Sequence, residues 1–377
     1  VAKTVLKTMQ EITDFIRGCT LMGTGGGGNP QDGIHNLSKT LERDGEVSWV
    51  DAADIPDDAW TASMFSMGSI APKTEEIRRQ VARMGLKPAN IDLSLTIEAL
   101  MEFSGVQISA MVPFELGGMN TTNPLLYGSH LGLDTIDGDY AGRAVPEGAQ
   151  TIPVLVGKPM TPLSGVDQWG NVCFVKEAAS PGMAERIGKM LSVAAFDEFC
   201  LMTGYLMTGK EMKEVLVPGT MTKCLNLGRV IREARESGQD PVEAIVNFTE
   251  GWLLFEGEIV KKDWESRDGY MFGTNYLRGI RRSEGHELSV WFQNENHIVK
   301  KDGRPFVTSP DAVALVDIES GEPITNTDTA VGNRVAVVGI KGVEAFRTPA
   351  GLDLLGPKHF GFDDIEYVPI EQAVNGR

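Results

Sequence analysis

A chain of 377 residues, 42% hydrophobic and 23% charged, is long enough for two or three domains and has the composition of a folded protein. Its 35 lysines and arginines against 52 aspartates and glutamates leave a net charge of −17, a field that repels phosphate backbones and anionic lipid and so argues against nucleic-acid and membrane partners. The four cysteines form no CxxC pair, which argues against a disulfide framework or a structural zinc module, and no apolar run nears the roughly 20 residues of a membrane helix.

Val5, Leu6, Met9, Ile12, Phe15 and Ile16 recur at helical spacing between Lys7, Gln10, Glu11 and Asp14. This predicts an amphipathic opening helix rather than a secretory signal, and hence a cytoplasmic protein. A glycine loop follows, then a helical stretch carrying Ile34, Leu37 and Leu41. Strands are expected at Glu46–Val50, Thr61–Met67, Val106–Phe114 and Asp134–Ile136. Helices are expected at Thr74–Met84, with Thr74 as N-cap, at Asp92–Phe103 and around Pro124–His130. Such alternation predicts an α/β domain, a mostly parallel sheet with helices on both faces. Pro146–Gly170 reads as a crossover. Helices are expected again at Met183–Leu206, at Leu225–Ser237 and from Asp240, with Pro241 at the first helical position. From Trp252 to Ile340, short β-type runs separated by Asp268-Gly269, Asp302-Gly303 and Ser320-Gly321 predict an antiparallel β domain. The expected division is residues 1–165 as the α/β domain, 166–250 as a helical segment packing on or completing it, and 251–377 as the β-rich domain.

The most unusual segment is Gly23-Thr-Gly-Gly-Gly-Gly28-Asn-Pro30. Gly23, Gly25 and Gly28 satisfy GxGxxG, but a helix rather than a strand precedes them, and no GxxxxGK[ST] occurs, so no nucleotide cofactor is expected. Four glycines without Cβ atoms let the amides of Gly25, Gly26, Gly27 and Gly28 approach a ligand, or let another backbone approach them; both readings stand. Glu115-Leu-Gly117-Gly118-Met-Asn120 ends one expected strand, and Asp137-Gly-Asp139-Tyr-Ala-Gly-Arg143 ends another. Ligands of open α/β sheets bind outside the carboxyl ends of strands, so Glu115, Asp137 and Asp139 are expected to converge there. The alternative is that both aspartates cap a turn or helix. Ser69 sits at a third strand end.

The five histidines form no HxH or HExxH. A metal site would have to be assembled from distant residues, with His130, His297, Asp137 and Asp139 the candidates. Cys200 reads as buried packing on a helix, and no GxSxG elbow is present. Trp291-Phe-Gln-Asn-Glu-Asn-His297 reads as one strand, with Gln293 and Glu295 on one face and Asn294 and Asn296 on the other. It would either line an interdomain cleft or form a solubilised edge.

At these motifs the chain resembles the DUF917 proteins, described as similar to S-methyl thiohydantoin desulfurase. The matching pieces, in order, are Gly23–Pro30, Glu115–Asn120, Asp137–Glu147, Gln293–Asn296, Ser309–Asp311 with Asp317–Pro323, and Gly356–Pro369. The family pattern has a second glycine where Met119 stands and a serine near Thr121. The resemblance implies a two-part protein and a zinc-dependent hydrolase that replaces a methylthio group on a hydantoin-type ring with oxygen, releasing methanethiol. The small-molecule enzyme so implied would be a homo-oligomer or associate with a hydantoinase-type protein. In this reading Asp137 and Asp139 hold the metal, Glu115 is the general base, Arg143 positions an anionic substituent, and Gly25–Gly28, Ser69, Gly117, Gly118 and Asn120 line the substrate pocket. Asp139→Asn should then abolish turnover. The competing reading is a non-catalytic ligand-binding partner of a hydantoin-processing enzyme.

Overall fold

The computed structural model describes residues 3–69, 71–89, 92–196 and 200–376. Two sheets organise them. The first has six strands in the order Asp134–Thr135, Ile108–Pro113, Trp60–Met67, Cys200–Thr208, Leu163–Asp167 and Val172–Val175. Residues alternate across it with the period of two that a strand imposes. Ala62 and Met64 pack with Ile97 and Leu100 of helix Leu95–Ser104 on one face, while Phe65 and Met67 pack with Ala184 of helix Pro181–Ala194 on the other.

This sheet is mixed, not mostly parallel. The pairings on either side of Ile108–Pro113 are parallel, but Cys200–Thr208 runs antiparallel to both Trp60–Met67 and Leu163–Asp167, and Val172–Val175 is antiparallel as well. The expected helix over Met183–Leu206 accounts for the difference. The helix ends at Ala194, and the run CLMTGYLMT becomes a central strand. A segment buried on both sides shows no polar stripe, so periodicity alone does not separate strand from helix. Cys200 is buried, as expected, but opens this strand rather than lying on a helix.

The second sheet is fully antiparallel, in the order Arg304–Thr308, Glu295–Lys301, Glu287–Gln293, Tyr270–Gly279, Trp252–Arg267, Arg334–Ile340 and Ala312–Asp317. Val307 near one edge and Val313 and Leu315 at the other share a hydrophobic cluster, so the sheet curls on itself. Its outer residues Ala314, Val316, Ala336 and Val338 pack against α1 (Met9–Met22) and helices Thr220–Glu236 and Pro241–Thr249. Glycines set how closely α1 meets helix Thr220–Glu236. A Cβ on Gly18 would stand 1.9 Å from the Cys224 carbonyl oxygen, and one on Gly228 would stand 1.7 Å from that of Asp14. The opening helix starts later than its apolar spacing suggests: Lys3–Leu6 is a strand, and Thr8 and Glu11 form a capping box that begins α1. Thr74 and Asp240 cap their helices as expected. No helix among the described residues is long and apolar enough to cross a membrane.

Candidate functional site

Between the C-terminus of α1 and the N-terminus of α2 (Pro30–Asp44) the chain turns through left-handed conformations. Thr24, Gly25, Gly27 and Gly28 have φ of 49°, 97°, 75° and 84°. Each glycine from 25 to 28 also faces a different neighbour. A Cβ on Gly25 would stand 2.4 Å from Asn326 Nδ2, on Gly26 1.8 Å from Glu295 Oε1, on Gly27 2.4 Å from Gly117 Cα, and on Gly28 2.6 Å from Met119 Cβ. The loop is therefore wedged between the Glu115–Asn120 segment and the curled sheet. It is fastened to both: Gly27 O accepts from Met119 N and Asn120 N, Thr24 O from Asn296 N, and Gly25 O from Asn326 N.

Glu115 follows strand Ile108–Pro113 and is 3% exposed. Its Oε2 accepts from Val145 N at 2.6 Å and its Oε1 from Asn120 Nδ2 at 2.5 Å. The Gln293–Asn296 run is not a single strand. Asn294, with φ of 56°, is the tip of a tight hairpin that pairs Gln293 with Glu295 and Phe292 with Asn296. The tip is held by buried amides. Asn326 Nδ2 donates to Asn294 O and Asn296 Oδ1, Asn296 Nδ2 to Val313 O, and Asn275 Nδ2 to Asn326 Oδ1. This scaffold aims Glu295, 2% exposed, at the glycine loop, where Oε1 accepts from Gly27 N at 3.2 Å. Glu295 Oε2 and Asn120 Oδ1 are buried with no hydrogen-bond partner among the described residues.

A cavity of about 320 Å³ lies where these pieces meet. Gly25–Gly28, Ser69, Glu115, Asn120, Lys189 and Glu295 line it, and Phe65, Phe114, Met119 and Val145 add apolar wall. Burial pushes both carboxyls up. Glu115 rises well above the usual range, first through desolvation and then through the charge of Glu295. Glu295 rises to about 7 through desolvation, held back by Arg143, Lys189 and the Gly27 amide. Both carboxyls therefore hold protons to higher pH than ordinary carboxylates, and the charge of Glu295 raises Glu115 further, which suits Glu115 to donate a proton and Glu295 to accept one. Asn120 suits either state of Glu115, since an amide can turn Nδ2 to a carboxylate or Oδ1 to a carboxylic acid.

The other expected site residues lie elsewhere. Gly117 and Gly118 are packing positions: Gly117 meets Gly27, and a Cβ on Gly118 would stand 2.9 Å from Pro30 Cα. Asp137 does not converge with Glu115. It caps helix Thr220–Glu236, accepting from Met221 N at 3.0 Å, Thr222 N at 3.1 Å and Thr222 Oγ1. Gly219, at the N-cap, has no side chain to do this. Asp139 Oδ2 accepts from Ala141 N and Gly142 N, closing its own turn, and burial raises its carboxyl to about 7. Arg143 cannot position a substituent, because its donors are engaged. They reach Ala144 O, Thr24 Oγ1, Ser309 Oγ and the carbonyls of Asn296 and Asp311, tying the glycine loop to the curled sheet.

The four metal candidates do not make a donor set. His130 is half-exposed and pairs with Asp92, whereas His297 is buried, bonded through Nδ1 to Ser309 Oγ and stacked on Phe360. Among the described residues, no three His, Cys, Asp or Glu side chains are grouped to hold a metal ion. Glu295 and Lys189 line the cavity but were not among the expected site residues, although the run holding Glu295 was read as either an interdomain cleft lining or an edge. Glu295 lies in the polar run already singled out and could have been found there. Lys189 carries no signal, since a lysine on an amphipathic helix ordinarily faces water.

Family models cover both halves of this arrangement: the S-Me-THD-like N-terminal domain matches residues 10–177 and the S-Me-THD-like C-terminal domain matches residues 179–370. The chain belongs to the S-Me-THD-like family. The cavity of this family member is built from both matched parts, Glu115 from the first and Glu295 from the second. A crystal structure of a protein from Chromobacterium violaceum shares its fold, with a TM-score of 0.76 at 19% identity, over 97% of this chain and 100% of that one. Comparison with curated proteins gives no match.

Proposed function

We propose that the protein is a hydrolase that replaces a methylthio group on a hydantoin-type ring with oxygen, using Glu115 and Glu295 as a coupled acid and base. The observation that carries this reading is the pair itself: two carboxyls buried on one cavity, one with an unpartnered oxygen, in a chain of the S-Me-THD-like family.

The unpartnered Oε2 of Glu295 accepts a proton from water as the water oxygen attacks the ring carbon that bears sulfur. Glu115 gives its proton to the ring nitrogen that receives the electron pair. The tetrahedral carbon then collapses and the C–S bond breaks. Glu295 protonates the departing sulfur, releasing methanethiol, while Glu115 recovers its proton from the hydroxyl as the carbonyl forms. Both carboxyls return to their starting states. Asn120 Oδ1, a buried acceptor without a partner, offers a place for a ring N–H. Positioned acid–base transfer of this kind supplies about 10²–10⁴ in rate. Zinc, which the resemblance implies, does not fit Asp137, Asp139, His130 and His297 as they are placed, so no step runs through it.

The test is methanethiol release from a 2-methylthio-imidazolone ring, followed with a thiol reagent. The wild-type protein should release thiol and Glu295→Gln should not. A wild-type protein that binds the ring without releasing thiol would instead be a binding subunit.

A further inference from the structure

The six-stranded sheet ends on strand Val172–Val175, which pairs with Leu163–Asp167 and, among the described residues, with no other strand. Proteins usually blunt such an edge with lysine, proline or a covering loop. Here residues 168–175 contain no charged side chain and no proline, in a chain of net charge −17. Val172 and Phe174 are 44% and 43% exposed, and Phe174 stacks on Phe103, itself 44% exposed, with ring centroids 5.1 Å apart. Val175 faces the opposite side, where helix Pro181–Ala194 packs and leaves Met190 and Val193 exposed. The edge is thus apolar on both faces.

The ladder shows what this edge offers. Asp167 N donates to Asn171 O, so Asn171 turns its backbone groups toward Leu163–Asp167, and by the alternation of an antiparallel pair so do Cys173 and Val175. Val172 and Phe174 turn theirs outward. Two such strands related by a two-fold axis at Cys173 are self-complementary. Val172 pairs with the partner's Phe174 and Phe174 with the partner's Val172, and each pair exchanges both of its hydrogen bonds. The apolar side chains of each pair lie opposite one another on one face. The two Cys173 side chains meet on the other face, at a position without hydrogen bonds. A partner of opposite charge would find no counter-charge along this run. Two acidic copies, by contrast, meet here without the repulsion they exert elsewhere.

We infer that this edge is the interface between two copies of the chain, which join their six-stranded sheets by antiparallel pairing of Val172–Val175 about Cys173. A four-residue strand pair is small beside the roughly 800 Å² per partner of a stable interface, and Phe103, Met190 and Val193 extend it on either face.

The experiment is sedimentation of the intact protein. The wild-type chain, 40.9 kDa, should sediment as a dimer. Val172→Lys/Phe174→Lys sets like charges opposite one another in both pairs and should convert it to a monomer at the same concentration, with Tm unchanged because both side chains are exposed. A monomeric wild type, or a dimer that survives in the double variant, overturns the inference. Should the double variant fail to fold, the thiols of the wild type decide. Cys173 is half-buried and the other three cysteines are buried, so mild oxidation should link two chains through Cys173, and the link should be absent in Cys173→Ser. Wild-type chains that remain unlinked would then overturn it.

Discussion

Two acidic regions of this molecule look alike in sequence and do different things. Both Glu115–Asn120 and Asp137–Arg143 follow short strands, and both bury carboxyls whose pKa is pushed up by desolvation. At the cavity, Glu115 and Glu295, the latter from the other sheet, both line the wall, and Glu295 Oε2 is buried without a partner. In the Asp137–Arg143 loop the polar groups are directed into the chain itself: Asp137 onto a helix N-terminus, Asp139 onto its own turn, and Arg143 onto carbonyls and hydroxyls across the two-sheet junction. A buried carboxyl with a perturbed pKa is therefore not enough to mark a site. An unpartnered oxygen is not enough either, since Asp139 Oδ1 also lacks a partner; what separates the two regions is that Glu115 and Glu295 line the cavity and Asp139 does not.

The sharpest way to break this comparison is to exchange the loss of function between the regions. Glu295→Gln should cost about 10²–10⁴ in turnover with little change in Tm, measured by thiol release and thermal unfolding. Arg143→Met should do the reverse in kind. It leaves buried carbonyls and hydroxyls unpaired where the sheets meet and should cost about 3 kcal/mol or more in denaturant unfolding. Gly27→Ala tests the contact between the regions. Its Cβ would press on Gly117 Cα, and φ of 75° disfavours any side chain, so a loss of about 1–3 kcal/mol is expected.

Asp139→Asn should have the smallest effect, leaving turnover within about threefold, because an amide oxygen can still accept from Ala141 N and Gly142 N. It should also flatten the pH dependence of stability. The folded carboxyl holds its proton to about pH 7, against an ordinary 3.8, so its contribution is full below about pH 4 and is lost as pH rises through 7. Asparagine does not ionise and removes that fall. Abolished turnover in a folded Asp139→Asn variant would return the site to the Asp-Gly-Asp loop.

Much of the local architecture was legible in the sequence, because caps and turns are short-range: Thr74, Asp240 and the strand at Trp60–Met67 follow from neighbouring residues. The strand at Cys200–Thr208 was not, since its pairing partners are more than thirty residues away and its burial erases the pattern. The same division holds at the cavity. Gly25–Gly28, Ser69, Glu115 and Asn120 were singled out by local oddity and do line it. The aspartates were placed there on strand-end logic alone, which cannot tell that Gly219 leaves a helix N-terminus needing Asp137. Glu295 reaches Gly27 across 268 residues of chain, a distance visible only in the fold.

The most direct test of the account needs no substrate. The Glu115 carboxyl carbon, labelled with ¹³C and followed by NMR across pH, should titrate well above the usual carboxylate range, and Glu295→Gln should lower its midpoint by removing the neighbouring negative charge that helps hold the proton on Glu115. A midpoint at the ordinary 4.5, unmoved by Glu295→Gln, would mean that the two glutamates do not act as a pair.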